Sequence, residues 1–554
     1  MVIQTKKRSG FFLQVRSTLL FLGFLVGSWN FNISKVWAAE DIFLNYGPLE
    51  FSLSVEALRT YAQEGEITGD LRDYARFLSE EQLVSLQSAL VKKIDVQPLS
   101  VAQFFYSYQG VKILERVGQI VKTKAGQSGF FAIRSALILA ANSEEGLTPL
   151  NFLETFPIAG ITIDSIQGFK IIDELSVILQ ETNLAIAAVE ERAFIEKVRG
   201  SEVFAEGING AGNFAYRIET FKLQDKKRRR TFPADLYLPK RENNNRPLSL
   251  VVISHGLGSD RTSFAYLAKF LVSYGFAVAV PEHPGSNADQ IKNLLEGFAN
   301  DVTPPTEFLD RPLDISYLLD YLEAKYKKQI NTKSVGIVGQ SFGAYTALAL
   351  AGAELNFRTL DDACQNLDKS FNVSLFLQCL AQELPPEDTI TNYRDPRITS
   401  AIAINPLTSA VFGKKGISKI DIPTMIVSGS ADPVTPALPE QIRPFIWLNS
   451  EEKYLALFKG GTHFSTIKES GGSIPVPEKA LGPDPAIAQN YLKQLSLLFL
   501  NEPRSSESGD YSSLQAPNFG CLCSSYAASI TQPLMPLRLI KELSEESLGQ
   551  PASK

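Results

Sequence analysis

Histidine and cysteine are scarce: three histidines and four cysteines in 554 residues. His255, His283 and His463 lie far apart, and Cys364, Cys379, Cys521 and Cys523 have no spacing suited to zinc. No metal and no cofactor are therefore expected. Positive charge is not in excess, since the formal net charge is −6. That excludes the basic balance of a nucleic-acid binder. One basic run, Lys226 to Arg230, lies between two candidate strands and reads as a solvated hairpin tip. Beyond the N-terminus no apolar run is long enough to span a bilayer.

What is present at the N-terminus is the pattern of an export signal over residues 1–38. Lys6, Lys7 and Arg8 precede an apolar stretch, Thr18 to Val26, and Val36-Trp37-Ala38 precede a cleavage point before Ala39. An uncleaved anchor is the second reading. No cysteine follows directly, which argues against a lipid-modified N-terminus. The mature chain is expected outside the cytoplasm, periplasmic or extracellular, where disulfides are permitted. Cys364 and Cys379 are candidates for a local bridge. Cys521-Leu522-Cys523 would close a strained ring, so free thiols or another pairing fit equally well.

The length predicts two domains, and 44% hydrophobic with 21% charged residues is a globular balance. Residues 39–195 read as a mainly helical accessory domain. Ser79 and Gln82 form a capping box, Leu78 can staple to Leu83, and Leu83, Leu86 and Leu90 fall on one face. Val111 to Val121 and Ala132 to Ala141 read as further helices. This region holds no histidine or cysteine, so it is expected to pack beside or cover the other half; contact with a ligand or a peripheral membrane surface is the second reading. From about 200 to 500 strands alternate with helices. A hairpin (Ala215 to Leu223, Thr231 to Leu238) is followed by strands Leu248 to Ser254, Phe276 to Val280, Val335 to Val338, Ser400 to Ile404, Thr424 to Ser428 and Tyr454 to Phe458. Helices are predicted at Thr262 to Tyr274, Pro312 to Tyr326 and Pro485 to Leu500. This order is that of an α/β protein, a mostly parallel sheet with helices on both faces. Residues 352–397 interrupt it as a cap-like insertion, and residues 502–554 read as a linker and tail.

The chemistry centres on Gly339-Gln340-Ser341-Phe342-Gly343, a Gly-x-Ser-x-Gly pattern between a strand and a small-residue helix. That context gives a sharp turn that exposes the serine oxygen. A serine hydroxyl needs a base and an acid that orients the base. His463 follows the last predicted strand and is the candidate base. Asp432, in the loop after Thr424 to Ser428, is the candidate acid. Asp421 precedes that strand and sits at its wrong end, and Asp395 is a weaker alternative. His255-Gly256-Leu257-Gly258 follows the strand Leu248 to Ser254. Its Leu257 N–H, paired with the Phe342 N–H, is the candidate oxyanion hole. His255 reads as a support for that loop, and His283 as structural with a second reading in the pocket lining.

These residues together resemble the platelet-activating-factor acetylhydrolase and dienelactone-hydrolase-like branch of the α/β-hydrolases, over residues 215–500. Besides the two glycine-rich motifs, Arg261-Thr262, Val278-Ala279-Val280-Pro281-Glu282-His283 and Asp310-Arg311-Pro312 look similar. The first 200 residues resemble a module of unknown function that precedes such hydrolases in bacteria. The resemblance implies an α/β-hydrolase fold and serine ester hydrolysis, with acetylated or short-acyl phospholipids among the substrates. Two positions depart from it. Where the acetylhydrolases carry their acid this chain has Asn405, and where dienelactone hydrolases carry cysteine it has Ser341. An exported serine esterase acting on small-molecule or lipid esters is the expectation; a non-catalytic lipid- or envelope-binding protein on the same scaffold is the alternative.

Overall fold

The computed structural model describes residues 39–46, 49–199, 210–241, 246–367, 370–384, 391–468, 480–501 and 534–549. The expected signal segment and Cys521 and Cys523 lie outside them. Among the described residues no helix is long and apolar enough to cross a membrane.

The chain forms two compact units. One comprises residues up to Val96 together with Gly118–Ser165; the other comprises Gln97–Val117 and everything from Ile166 onward. The first is mainly helical, and its capping follows the sequence. Ser79 Oγ accepts from the Gln82 N–H at 3.2 Å while the Ser79 N–H donates to Gln82 Oε1 at 2.8 Å. Leu90 is buried with Ala57, Leu58, Tyr61, Leu71 and Leu150. The unit also holds a small sheet not anticipated above. Its strands are β1 (Asp41–Tyr46), β2 (Leu49–Ser54), β3 (Val121–Thr123) and β4 (Gly160–Asp164), in the order β2-β1-β4-β3. β1 and β4 pair in parallel across more than a hundred residues of chain, a long-range pairing that local periodicity does not reveal.

The division does not follow a single cut near residue 195. The helix Pro98–Tyr106 packs on the helix Ala288–Leu295, with Ser100 Oγ donating to Leu295 O at 3.1 Å. Ala185, Val189 and Ala193 of the long helix Ser165–Arg199 lie in the core of the second unit.

That second unit is built on nine strands: β5 (Tyr216–Asp225), β6 (Arg230–Pro239), β7 (Leu248–Ser254), β8 (Ala277–Pro281), β9 (Ile330–Gln340), β10 (Ile398–Ile404), β11 (Thr424–Gly429), β12 (Lys453–Phe458) and β13 (Leu537–Ile540). Their order is β13-β12-β11-β10-β9-β7-β8-β6-β5. From β8 through β12 all pairings are parallel, and the antiparallel hairpin β5–β6 and the strand β13 close the two edges. Central strands read as continuous apolar runs because both faces are covered; all seven residues of β10 but Thr399 are buried. β13 lies within the stretch expected to be a tail. It pairs Leu537 to Ile540 with Phe458 to Leu455.

Within the insertion, Cys364 and Cys379 form a disulfide. The basic run is the hairpin turn between β5 and β6, but it is not simply solvated. Arg228 pairs with Asp225, Asp310 and Asp314, and Arg230 with Glu307, Asp310 and Asp314. Asp225 is local, but Glu307, Asp310 and Asp314 lie on the helix Glu307–Tyr326, about eighty residues on, so the sequence around the run carried no sign of them.

Pro312, expected to start this helix, sits inside it. Its missing N–H would orphan the carbonyl four residues back. That carbonyl, Phe308 O, instead accepts from Tyr345 Oη at 2.7 Å.

Candidate active site

Ser341, Asp432, His463 and the loop with Leu257 each follow the carboxyl end of a parallel strand, where an open α/β sheet forms its crevice. Ser341 follows β9 and starts the helix Phe342–Ala351 with φ 54° and ψ −117°. This left-handed backbone is costly for a residue with a Cβ and is held by its surroundings. The Ser341 N–H donates to Ile404 O at 2.8 Å. Gly339 and Gly343 are required by close approach. A Cβ on Gly339 would overlap Gly343 O, and one on Gly343 would overlap Ser254 O. The turn is thus wedged between the end of β7 and its own helix.

Asp432 and His463 occupy neighbouring loops after β11 and β12. The Ala431 N–H donates to Gly461 O at 2.9 Å and the Ser430 N–H to Phe458 O at 3.0 Å, which stitches the loops together. His463 Nδ1 lies 2.9 Å from Asp432 Oδ2. With a carboxylate as partner, Nδ1 carries the proton and Nε2 is the nitrogen left to accept one. Gln340 Nε2, one residue before Ser341, donates to His463 O at 3.1 Å, tying the histidine loop to the serine turn.

Asp432 is surrounded by donors. Oδ1 accepts from the Val434 and Thr435 N–H groups, both at 2.8 Å. Oδ2 accepts from Asn405 Nδ2 (2.5 Å), Thr435 Oγ1 (2.7 Å) and Gln441 Nε2 (3.2 Å) as well as His463. Burial alone would push its pKa up. His463 and the hydrogen bonds from His463 and Thr435 outweigh it, so the carboxyl lies below its ordinary range and stays ionised. Asp421 is exposed and pairs with Arg394 at 2.8 Å. Asp395 pairs with Arg397 at 2.6 Å before β10 begins, at the other end of the sheet.

The Phe342 N–H is the first of its helix and has no preceding turn to bond into. Across from it, a Cβ on Gly256 would lie 3.4 Å from Ser341 Cβ, so the loop carrying Leu257 borders the serine. Behind this loop are the other two histidines. The His283 N–H donates to His255 Nε2 at 3.0 Å, which leaves Nδ1 to donate to Gly256 O at 2.8 Å. Burial, then Arg311, holds both rings well below the ordinary histidine pKa. His255 therefore supports the loop as a neutral ring.

His283 has Asp314 Oδ2 2.9 Å from Nδ1 and Ser254 Oγ 3.1 Å from Nε2. The connectivity is Ser-His-Asp again, but Ser254 and His283 are 0% exposed, so this array braces the loop and meets no substrate. Asn405, Thr435 and Gln441 were not anticipated as parts of the site. Of these only Asn405 had a sequence signal, its place at the end of β10.

The fold and this arrangement define an α/β-hydrolase. Residues 38–164 match the family model described as an alpha/beta hydrolase of unknown function, and residues 239–303 match that of platelet-activating factor acetylhydrolase, isoform II. The second match carries the His255 to Gly258 loop. The chain is also 26% identical, over 165 aligned residues, to platelet-activating factor acetylhydrolase of the dog, Canis lupus familiaris; the alignment covers 23% of this chain and 37% of that protein. Both family models and this relative make the chain similar to the platelet-activating-factor-acetylhydrolase-like branch of the α/β-hydrolases.

Proposed function

We propose that this protein is an exported serine hydrolase that cleaves carboxylic esters through an acyl-enzyme. The observation that carries the reading is the 2.9 Å Asp432–His463 contact on loops tied to the strained Ser341 turn. In this reaction His463 Nε2 takes the Ser341 proton as Oγ attacks the ester carbonyl. Asp432 stays ionised and fixes the tautomer. The Leu257 and Phe342 N–H groups hold the negative oxygen of the tetrahedral intermediate. Collapse expels the alcohol, which leaves with the proton from His463. Water, deprotonated by the same ring, then releases the acid and restores Ser341.

The similarity to a platelet-activating factor acetylhydrolase supports short-acyl lipid or phospholipid esters as the substrate class. The N-terminal pattern and the Cys364–Cys379 bridge support export, since such bridges suit an oxidising compartment.

The test is labelling by a fluorophosphonate together with turnover of p-nitrophenyl acetate and butyrate. Wild type should show both and Ser341→Ala neither. Turnover that survives Ser341→Ala would move the nucleophile elsewhere. A folded wild type that neither labels nor turns over would favour the non-catalytic binding protein.

A further inference from the structure

Asp310-Arg311-Pro312 has no part in the reaction just described, yet Arg311 is 0% exposed. Its Nε donates to Thr346 Oγ1 at 3.0 Å and Nη1 to Ser286 Oγ at 2.6 Å; Nη2 donates to Ser254 Oγ at 3.3 Å and also to His255 O. The guanidinium lies 4.7 Å from the centre of the Phe342 ring. Among the described residues every hydrogen-bond acceptor of Arg311 is a neutral oxygen. Glu307 reaches it through Ser286, whose Oγ donates to Glu307 Oε2 at 2.6 Å.

Burial lowers the Arg311 pKa to about 10, with Glu307 and Asp314 opposing the shift. A buried guanidinium without a bonded carboxylate is costly. Its contacts show where that cost is spent. His255 O belongs to the peptide that enters Gly256-Leu257. Phe342 and Thr346 lie on the first turns of the nucleophile helix. One rigid fork therefore touches both segments that supply the two oxyanion donors. The Tyr345 Oη bond to Phe308 O fixes Arg311's own helix to the same nucleophile helix.

We propose that Arg311 is a positioning residue that sets the spacing of the Leu257 and Phe342 N–H groups. The proposal rests on the serine-hydrolase reading. A lysine would keep the charge but offers no planar fork to hold Thr346, Ser286 and His255 O at once.

The experiment uses the full chain and Arg311→Lys. Loss of one aligned oxyanion donor costs about 10² to 10³ in kcat, so kcat should fall by roughly a hundredfold with KM within about twofold. Inhibition by an aryl trifluoromethyl ketone, which forms a tetrahedral adduct on serine, should weaken by the same factor as kcat/KM. Arg397→Lys is the control. It perturbs the same helix through Asp320 and the Ser316 carbonyl, without touching Asp314, His283, His255 or Phe342, and should lower Tm while leaving kcat unchanged. A kcat for Arg311→Lys within about threefold of wild type, or losses in both variants that track their Tm, would overturn the proposal. If Arg311→Lys lacks a cooperative unfolding transition, Thr346→Val decides, because it removes one Arg311 acceptor. It should lower kcat by about tenfold, and an unchanged kcat overturns the proposal. Wild type without Ser341-dependent turnover would instead overturn the reading and this proposal together.

Discussion

Asn405 Nδ2 donates to Asp432 Oδ2 across 2.5 Å, the same oxygen that faces His463 Nδ1. Asn405 has φ 46°, a left-handed value that asparagine tolerates better than most residues. The amide thus orients the acid without competing for the histidine. Asn405→Ala should reduce kcat by about tenfold through a looser Asp432, the effect of one hydrogen bond to a charged group. Asn405→Asp should do more. Two carboxylates at this separation cannot both ionise readily, so the acidic limb of the kcat/KM profile should move up by roughly one pH unit or more. A profile that stays in place in steady-state assays from pH 5 to 9 would show that Asn405 does not touch the working acid.

Asp432→Asn should cost roughly 10³- to 10⁴-fold in kcat, because His463 loses the partner that selects its tautomer. Asp421→Asn should leave kcat unchanged, since its surface pair with Arg394 lies on the far side of β11. The reverse ranking, read from initial rates on p-nitrophenyl butyrate, would displace Asp432 from the site.

Acid should destabilise the fold earlier than carboxylate titration alone would. His255 and His283 are held neutral by burial and by Arg311; His283 adds to the effect at His255, and Arg230 and Arg228 add to it at His283. A histidine with a depressed folded pKa contributes its full stability above the unfolded value of about 6.5 and loses it as pH falls below. Each ring adds up to about 1.4 kcal/mol per pH unit in that window. Glu307 and Asp314 have raised values, burial exceeding the pull of Arg230. They act with opposite sign above the ordinary carboxylate range, since the folded state takes up their protons first. The net loss should therefore fall between about pH 6.5 and 5. Tm measured at constant ionic strength should drop across it; a flat curve would mean that a ring is charged in place.

The bridge between Cys364 and Cys379 closes a loop with a sequence separation of 15. Such a closure is worth about 3 kcal/mol through the unfolded chain. Replacing both cysteines by serine should lower the unfolding free energy by up to that amount in urea melts, and an unchanged midpoint would mean that the insertion draws its order from packing alone.

Much of the candidate site was legible because each part is local. Ser341 announces itself by a strand, two glycines and a helix; Asp432 and His463 each stand just beyond an apolar strand. What the sequence hid are contacts across long separations. Arg228 and Arg230 form a charge run whose partners Asp310 and Asp314 stand on another element. Arg311 is a charged residue in a helix, and nothing nearby says it will be fully buried. β1 and β4 pair across more than a hundred residues of intervening chain. The segment Gln97–Val117 reads as one more helical stretch of the first half, but it belongs to the second unit, where Ser100 and Arg116 donate to Leu295 O and Ser370 O.

β13 has a consequence for how the molecule tolerates shortening. It covers the outer backbone of β12, whose sequence Lys453-Tyr454-Leu455-Ala456-Leu457-Phe458 is apolar after its first residue. A chain ended after Leu500 would keep every catalytic candidate yet present that strand as a bare hydrophobic edge, open to pairing with another copy. Trimming the apparent tail to obtain a minimal enzyme should therefore produce aggregates before it produces an inactive monomer.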